Sequence, residues 1–169
     1  REEYKRIVRE HAGVFDEIIL DDFFFTACRC EMCIEAKGDK SWKDYRLGLM
    51  EEFSHEIVDL ARSVNPKMHF IIKYPNWYES YQETGYNPGK QKDIFDMIYT
   101  GTETRTACYS PQHLQRYESY SIIRLLENTA PGRNGGGWID QGGSSDNLSR
   151  WLEQANLTML AKAREHMLF

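Results

Sequence analysis

The chain has no long apolar run. Its longest apolar stretch, around Phe15–Phe25, is broken by Asp16, Glu17, Asp21 and Asp22. Nothing approaches the ~20 residues a spanning helix needs, so no membrane role is expected. It also has no basic block. Lys plus Arg number 21 against 26 Asp plus Glu, a net charge of −5. A mildly acidic chain without a Lys/Arg cluster does not suit nucleic acid. No Gly-rich phosphate loop follows a strand, and Gly135-Gly136-Gly137 precedes its strand, the wrong end for a dinucleotide fingerprint. No Gly-x-Ser-x-Gly elbow is present. The first residue is Arg1 and not Met, so a trimmed or partial chain is expected.

What is present is the composition of a globular domain: 169 residues, 41% apolar, 28% charged and 13% aromatic. The four cysteines do not form a spread disulfide framework. Three cluster as Cys28-Arg-Cys30-Glu-Met-Cys33, and Cys108 stands apart. Three soft thiolates on one short loop suit zinc, which takes four tetrahedral ligands, so a structural zinc site is expected, its fourth ligand being Cys108, a His or a residue outside this chain. A closed cysteine site leaves no open position, so no catalytic cofactor is expected. A reduced or partly disulfide-bonded loop is the alternative.

Along the chain, residues 3–12 carry apolar positions at helical spacing before Gly13. Phe15–Asp22 reads as a buried strand ending in two acids. Ser41 can cap a helix running to Val64, with Asp44 at the capping-box position. Tyr45, Leu49, Phe53, Ile57, Leu60 and Val64 form its apolar stripe. Asn65-Pro66 stops it. Lys67–Tyr74 is the next strand, and one or two short helices are expected before Gln91. Asp96–Thr100 is a third strand, followed by a helix over 112–129. Gly135–Asp140 is a fourth strand, and a last helix is expected from Asp146 to Met167. Four consecutive β–α units imply α/β architecture with a parallel sheet. The pattern fits part of a (β/α)₈ TIM barrel, which needs roughly 250 residues, or a small open parallel sheet.

In either architecture the functional face lies at the C-terminal strand ends. Those ends read Asp21-Asp22, then Lys73-Tyr-Pro-Asn76-Trp77-Tyr78, then Thr100-Gly-Thr-Glu103-Thr-Arg105, then Trp138-Ile-Asp140. Carboxylates interleaved with aromatics suit carbohydrate: glycosidases place two carboxyl groups across the scissile bond, and sugar rings stack on aromatic faces. Asp21 and Asp22 would equally cap a loop, and strand alternation allows at most one of them to act as an acid. Glu103 would equally pair with Arg105, and Asp140 would equally cap a turn. Trp77, with Tyr78, Tyr81 and Tyr86, offers a sugar platform or loop filling, and Trp138 a platform or core. His69 reads as structural. His11, His55, His113 and His166 fall on helical stretches, and none pairs with Ser or Cys at catalytic spacing.

Phe15–Trp42, with Asp21-Asp22 at a strand end, Cys28-x-Cys30-x-x-Cys33 and then a long helix, resembles the barrel domain of family 42 glycoside hydrolases, the β-galactosidases and their relatives. The family shows Asn-Glu where this chain has Asp21-Asp22. The resemblance implies a glycosidase in which Asp22 is the general acid and Cys28, Cys30 and Cys33 bind zinc. It places the attacking carboxylate at the fourth strand here, Asp140, with Glu103 one strand earlier as the rival. Asp21, Asn76, Trp77, Tyr78, Arg105 and Trp138 are the expected substrate contacts. The implied partners are a carbohydrate and the rest of the barrel, in a larger parent protein or a companion chain. Two alternatives stay open: a catalytically inert carbohydrate-binding barrel, and an open α/β domain whose cysteines sense zinc or redox state.

Overall fold

Strands and helices alternate along the chain as the apolar pattern dictates. The computed structural model describes residues 1–21, 24–103, 116–140 and 148–168. The chain divides into two units, Arg1–Ile72 with Glu79–Asp96, and Lys73–Tyr78 with Met97–Phe169.

The first unit opens with α1 (Glu2–Ala12), which has Glu2 and Glu3 in its first turn and Arg9 and His11 in its last, matching the helix dipole. It buries Val8 and Ala12. β1 (Glu17–Leu20) follows. A helix that the apolar pattern did not signal, α2 (Glu31–Lys37), buries none of its residues. It has no apolar stripe to read. α3 (Trp42–Val64) starts at Ser41, whose Oγ accepts from the Asp44 amide at 3.1 Å and donates to its Oδ2 at 2.7 Å. Its buried face is Met50, Phe53, Ile57, Val58 and Ala61, while Val64 is exposed. The expected stripe is therefore rotated by about one residue, because Arg46 and Ser54 lie on the inner face. Ser54 donates to the Met50 carbonyl and accepts from buried Gln91. Asn65, held extended before Pro66, ends the helix. β2 (His69–Tyr74) pairs parallel with β1, Glu17 opposite His69 and Leu20 opposite Ile72. His69 Nδ1 lies 3.0 Å from Glu17, the structural role expected of it. Short helices α4 (Tyr81–Thr84) and α5 (Pro88–Gln91) complete the unit. Phe24, Phe53, Phe70 and Phe95 form its aromatic core.

The second unit holds the end of β2, then β3 (Met97–Gly101), α6 (Glu118–Thr129), β4 (Asn134–Ile139), α7 (Leu148–Leu160) and β5 (Glu165–Leu168). β3 pairs parallel with β4, and β4 with β5. The glycine run lets β4 pack closely: a Cβ on Gly136 would sit 2.0 Å from the Glu165 carbonyl oxygen. α6 buries Ile122, Ile123 and Leu126.

The expected last helix to Met167 is corrected. α7 stops at Leu160, and a fifth strand carrying His166 follows. Lys162 turns left-handed at φ 65°, and the amides of Lys162 and Ala163 close onto the carbonyls of Met159 and Thr158. This is a Schellman-type stop without the usual glycine, so the residues carry no visible end signal. Strand order follows chain order, β1-β2-β3-β4-β5. The fold is α/β, consistent with part of a TIM barrel.

Candidate functional site

Parallel strands bring their C-terminal ends to one edge of a sheet. In the second unit that edge carries Lys73 and Tyr74 of β2, Gly101 of β3 with Glu103 two residues beyond, and Trp138 of β4 with Asp140 just after it.

Glu103 is at the centre. Its side chain is 4% exposed, and its Oε1 accepts from Lys73 Nζ at 2.9 Å; the Lys73 side chain is 2% exposed. Lysine and glutamate are almost never buried this far unless paired. The Lys73 ammonium also lies 4.5 Å from the centre of the Trp138 ring, a cation–π arrangement. Glu103 Oε2 is turned back over Gly101, where a Cβ would meet it at 2.7 Å.

The backbone behind Glu103 is held firmly. Asn76, itself buried, donates to the Glu103 carbonyl at 2.6 Å. The Thr102 amide and hydroxyl both donate to the Trp138 carbonyl, at 3.1 and 2.8 Å. Ser119 on α6 donates to the Thr102 carbonyl at 2.9 Å. Strand, neighbouring strand and helix thus fix one carboxylate.

Asp140 is half-buried. Its amide and carbonyl are clamped by the buried side chain of Gln154, at 3.2 and 2.9 Å. Trp77 is half-buried and Tyr78 exposed, whereas Asn76 is turned inward to the Glu103 backbone. Tyr81 and Tyr86 are not surface platforms. They pack on each other at 5.5 Å inside the first unit, where burial is worth more than exposure. Asp21 is half-buried, with its carbonyl accepting from the Phe24 amide. Asp22 and Arg105, like Cys108 and His113, lie outside the described residues. Lys73 escaped sequence reasoning, although a lone charge inside Phe70-Ile-Ile-Lys73-Tyr was a usable signal: a strand buried on both faces has no solvent for an ammonium.

The first unit carries the cysteine cluster. The Sγ atoms of Cys28, Cys30 and Cys33 lie within 4.8 Å of one another. Cys30 N-caps α2 and Cys33 sits in its first turn. The Cys33 backbone N–H, then the Cys28 and Cys33 thiols, hold the Cys30 thiol below its ordinary value. Burial, then the neighbouring thiols, push Cys33 up, and Tyr45 hydrogen-bonds to it. Buried Arg46 ties the loop down, donating to the carbonyls of Ala27 at 3.1 Å and Glu83 at 2.6 Å. Its guanidinium lies 4.9 Å from the Trp42 ring centre, with Arg29 and Lys37 each at 5.6 Å. A tetrahedral zinc with Zn–S of ~2.3 Å spaces its sulfurs roughly 3.8 Å apart, so these three residues fit the ion.

Two comparisons bear on the chain. It is 29% identical, over 196 aligned residues, to an uncharacterized protein of Saccharolobus solfataricus; the match covers all of this chain and 32% of that protein. The chain thus spans about a third of the length of that curated relative. All of residues 1–169 match the family described as "Probable glycosyl hydrolase, catalytic domain", and the chain belongs to that family.

Proposed function

We propose that this chain supplies part of the active site of a glycosidase and that Glu103 is its attacking carboxylate. The observation that carries this reading is the buried Lys73–Glu103 pair against Trp138 at the C-terminal strand ends. A carboxylate acting on an anomeric carbon, or taking a proton from the water that does, must be ionised and fixed in place. Glu103 has a cation on one oxygen and a backbone held from three sides. Asp140 is fixed through its main chain by Gln154, and is the second candidate for the same role. The family 42 resemblance assigns the proton-donating acid to Asp22. Trp77 and Tyr78, with Asp21, Arg105 and Trp138, would contact sugar, while Asn76, also expected to do so, would hold the Glu103 backbone instead. The substrate is an O-glycoside, and the rest of the barrel completes the site.

The test is hydrolysis of aryl glycosides by native protein and variants. Glu103→Gln should lose at least about a thousandfold in kcat, as expected when a catalytic carboxylate becomes an amide. If Glu103→Gln keeps a tenth of native activity while Asp140→Asn loses it, the role passes to Asp140.

Cys28, Cys30 and Cys33 would hold a structural zinc, which supplies cross-linking of the loop into α2 and no open coordination position. Metal analysis of purified protein should give one zinc per chain, lost in Cys30→Ser with a fall in Tm. Absence of metal from protein purified without chelator would exclude it.

A further inference from the structure

We propose that Lys73 is a positioning residue for Glu103: its ammonium fixes Oε1 of the attacking carboxylate and supplies the charge that keeps it ionised, while the Trp138 ring supports the ammonium. This rests on the reading of Glu103 given above.

A buried ion pair is a poor device for stability alone. Desolvating two charges costs as much as their attraction returns, and an apolar pair of similar volume does as well. Lys73–Glu103 is such a pair, with both side chains at least 96% buried. Its placement is specific. Lys73 lies inside β2, a rigid element, and not in the loop after it. Gly101, at the end of β3 against the backbone of Tyr74 and Pro75, has no side chain, which leaves room for the carboxylate that reaches Lys73. The Trp138 face presents its negative quadrupole to the ammonium and supports the cation beside the carboxylate. Three strands thus each give one residue to the orientation of a single carboxylate.

The experiment measures pH profiles on the best substrate from a panel of 2,4-dinitrophenyl α- and β-glycosides. That leaving group departs without a proton, so the rate reports attack rather than acid catalysis. In Lys73→Gln the acid limb of kcat/KM should move up by at least about one pH unit, since the counter-charge is gone. In Lys73→Arg the acid limb should stay at its native position, because the charge remains. There kcat should fall at least about tenfold with KM within threefold, because the planar fork displaces Oε1.

A merely structural pair predicts a lower Tm in both variants, with the native acid limb and kcat within threefold; that result overturns the proposal. If Lys73→Gln yields no folded protein, kcat of Lys73→Arg decides alone. Glu103→Gln separates the two levels: if it retains a tenth of native activity, the reading of Glu103 falls and the role of Lys73 with it. If it is inactive while both lysine variants behave as native, only the role of Lys73 falls.

Discussion

Gly101 decides where Glu103 can sit. Any side chain there would place a Cβ 2.7 Å from Glu103 Oε2 and 3.1 Å from both the Tyr74 carbonyl oxygen and the Pro75 Cα. Two of those three neighbours are backbone, so the carboxylate is the atom group free to give way. Gly101→Ala should therefore cost about 1–3 kcal/mol. It should also reduce kcat/KM at least about tenfold by swinging Glu103 off Lys73. Thermal unfolding with hydrolysis kinetics checks both, and a variant with native kcat/KM would show that the carboxylate's pose is irrelevant. Glu103 stood out in the sequence as a lone acid just past a short apolar strand. Arg105, its expected partner, lies outside the described residues; a cation that is found on it, Lys73, stands 30 positions away. Sequence proximity carries no information about which strand ends become neighbours, and that is why the pairing was not readable.

Elements with an amphipathic stripe or a capping signal were readable, and those without were not. α1, α3 and the first four strands fall within a few residues of their expected bounds, because helix caps and apolar runs mark them. α2 has no buried face, and the stop of α7 lacks a glycine. The glycine run of β4 was a weak strand signal for a physical reason now visible: its missing side chains admit neighbouring groups. Gly136 is the tightest case, and its obstacle is backbone of β5. Gly136→Ala should separate β4 from β5 locally and cost about 1–3 kcal/mol or more, a fall in Tm of about 3–10 °C. Hydrogen exchange should show the loss first in the amides of Glu165–Leu168. An unchanged Tm would mean that β5 contributes little to the fold.

At the scale of the molecule, the sheet order leaves β1 and β5 with one described partner strand each. Open strands of this kind recruit other chains. Exposed Leu148, Leu152, Met159 and Leu160 cluster on α7, beside β5 in sequence. Among the described residues, no helix is long and apolar enough to cross a membrane. Residues 1–169 produced alone should therefore self-associate, with a concentration-dependent mass above 19.9 kDa by light scattering. Leu152→Glu with Leu160→Glu should reduce it. A stable monomer at high concentration would favour the small open sheet as a self-sufficient domain. The parallel α/β class was legible from the order of elements, because alternation restricts connection geometry. The choice between barrel segment and open sheet was not, since both share that alternation.

The ring of Trp42 lies among three cationic side chains, one of which, Arg46, also grips the cysteine loop. An indole's emission follows the electric field across it, so this residue is an optical gauge that the protein already carries. Were the Cys28, Cys30 and Cys33 cluster to take up a metal, the charge near one tryptophan of four would change, and its emission would report that without any attached dye.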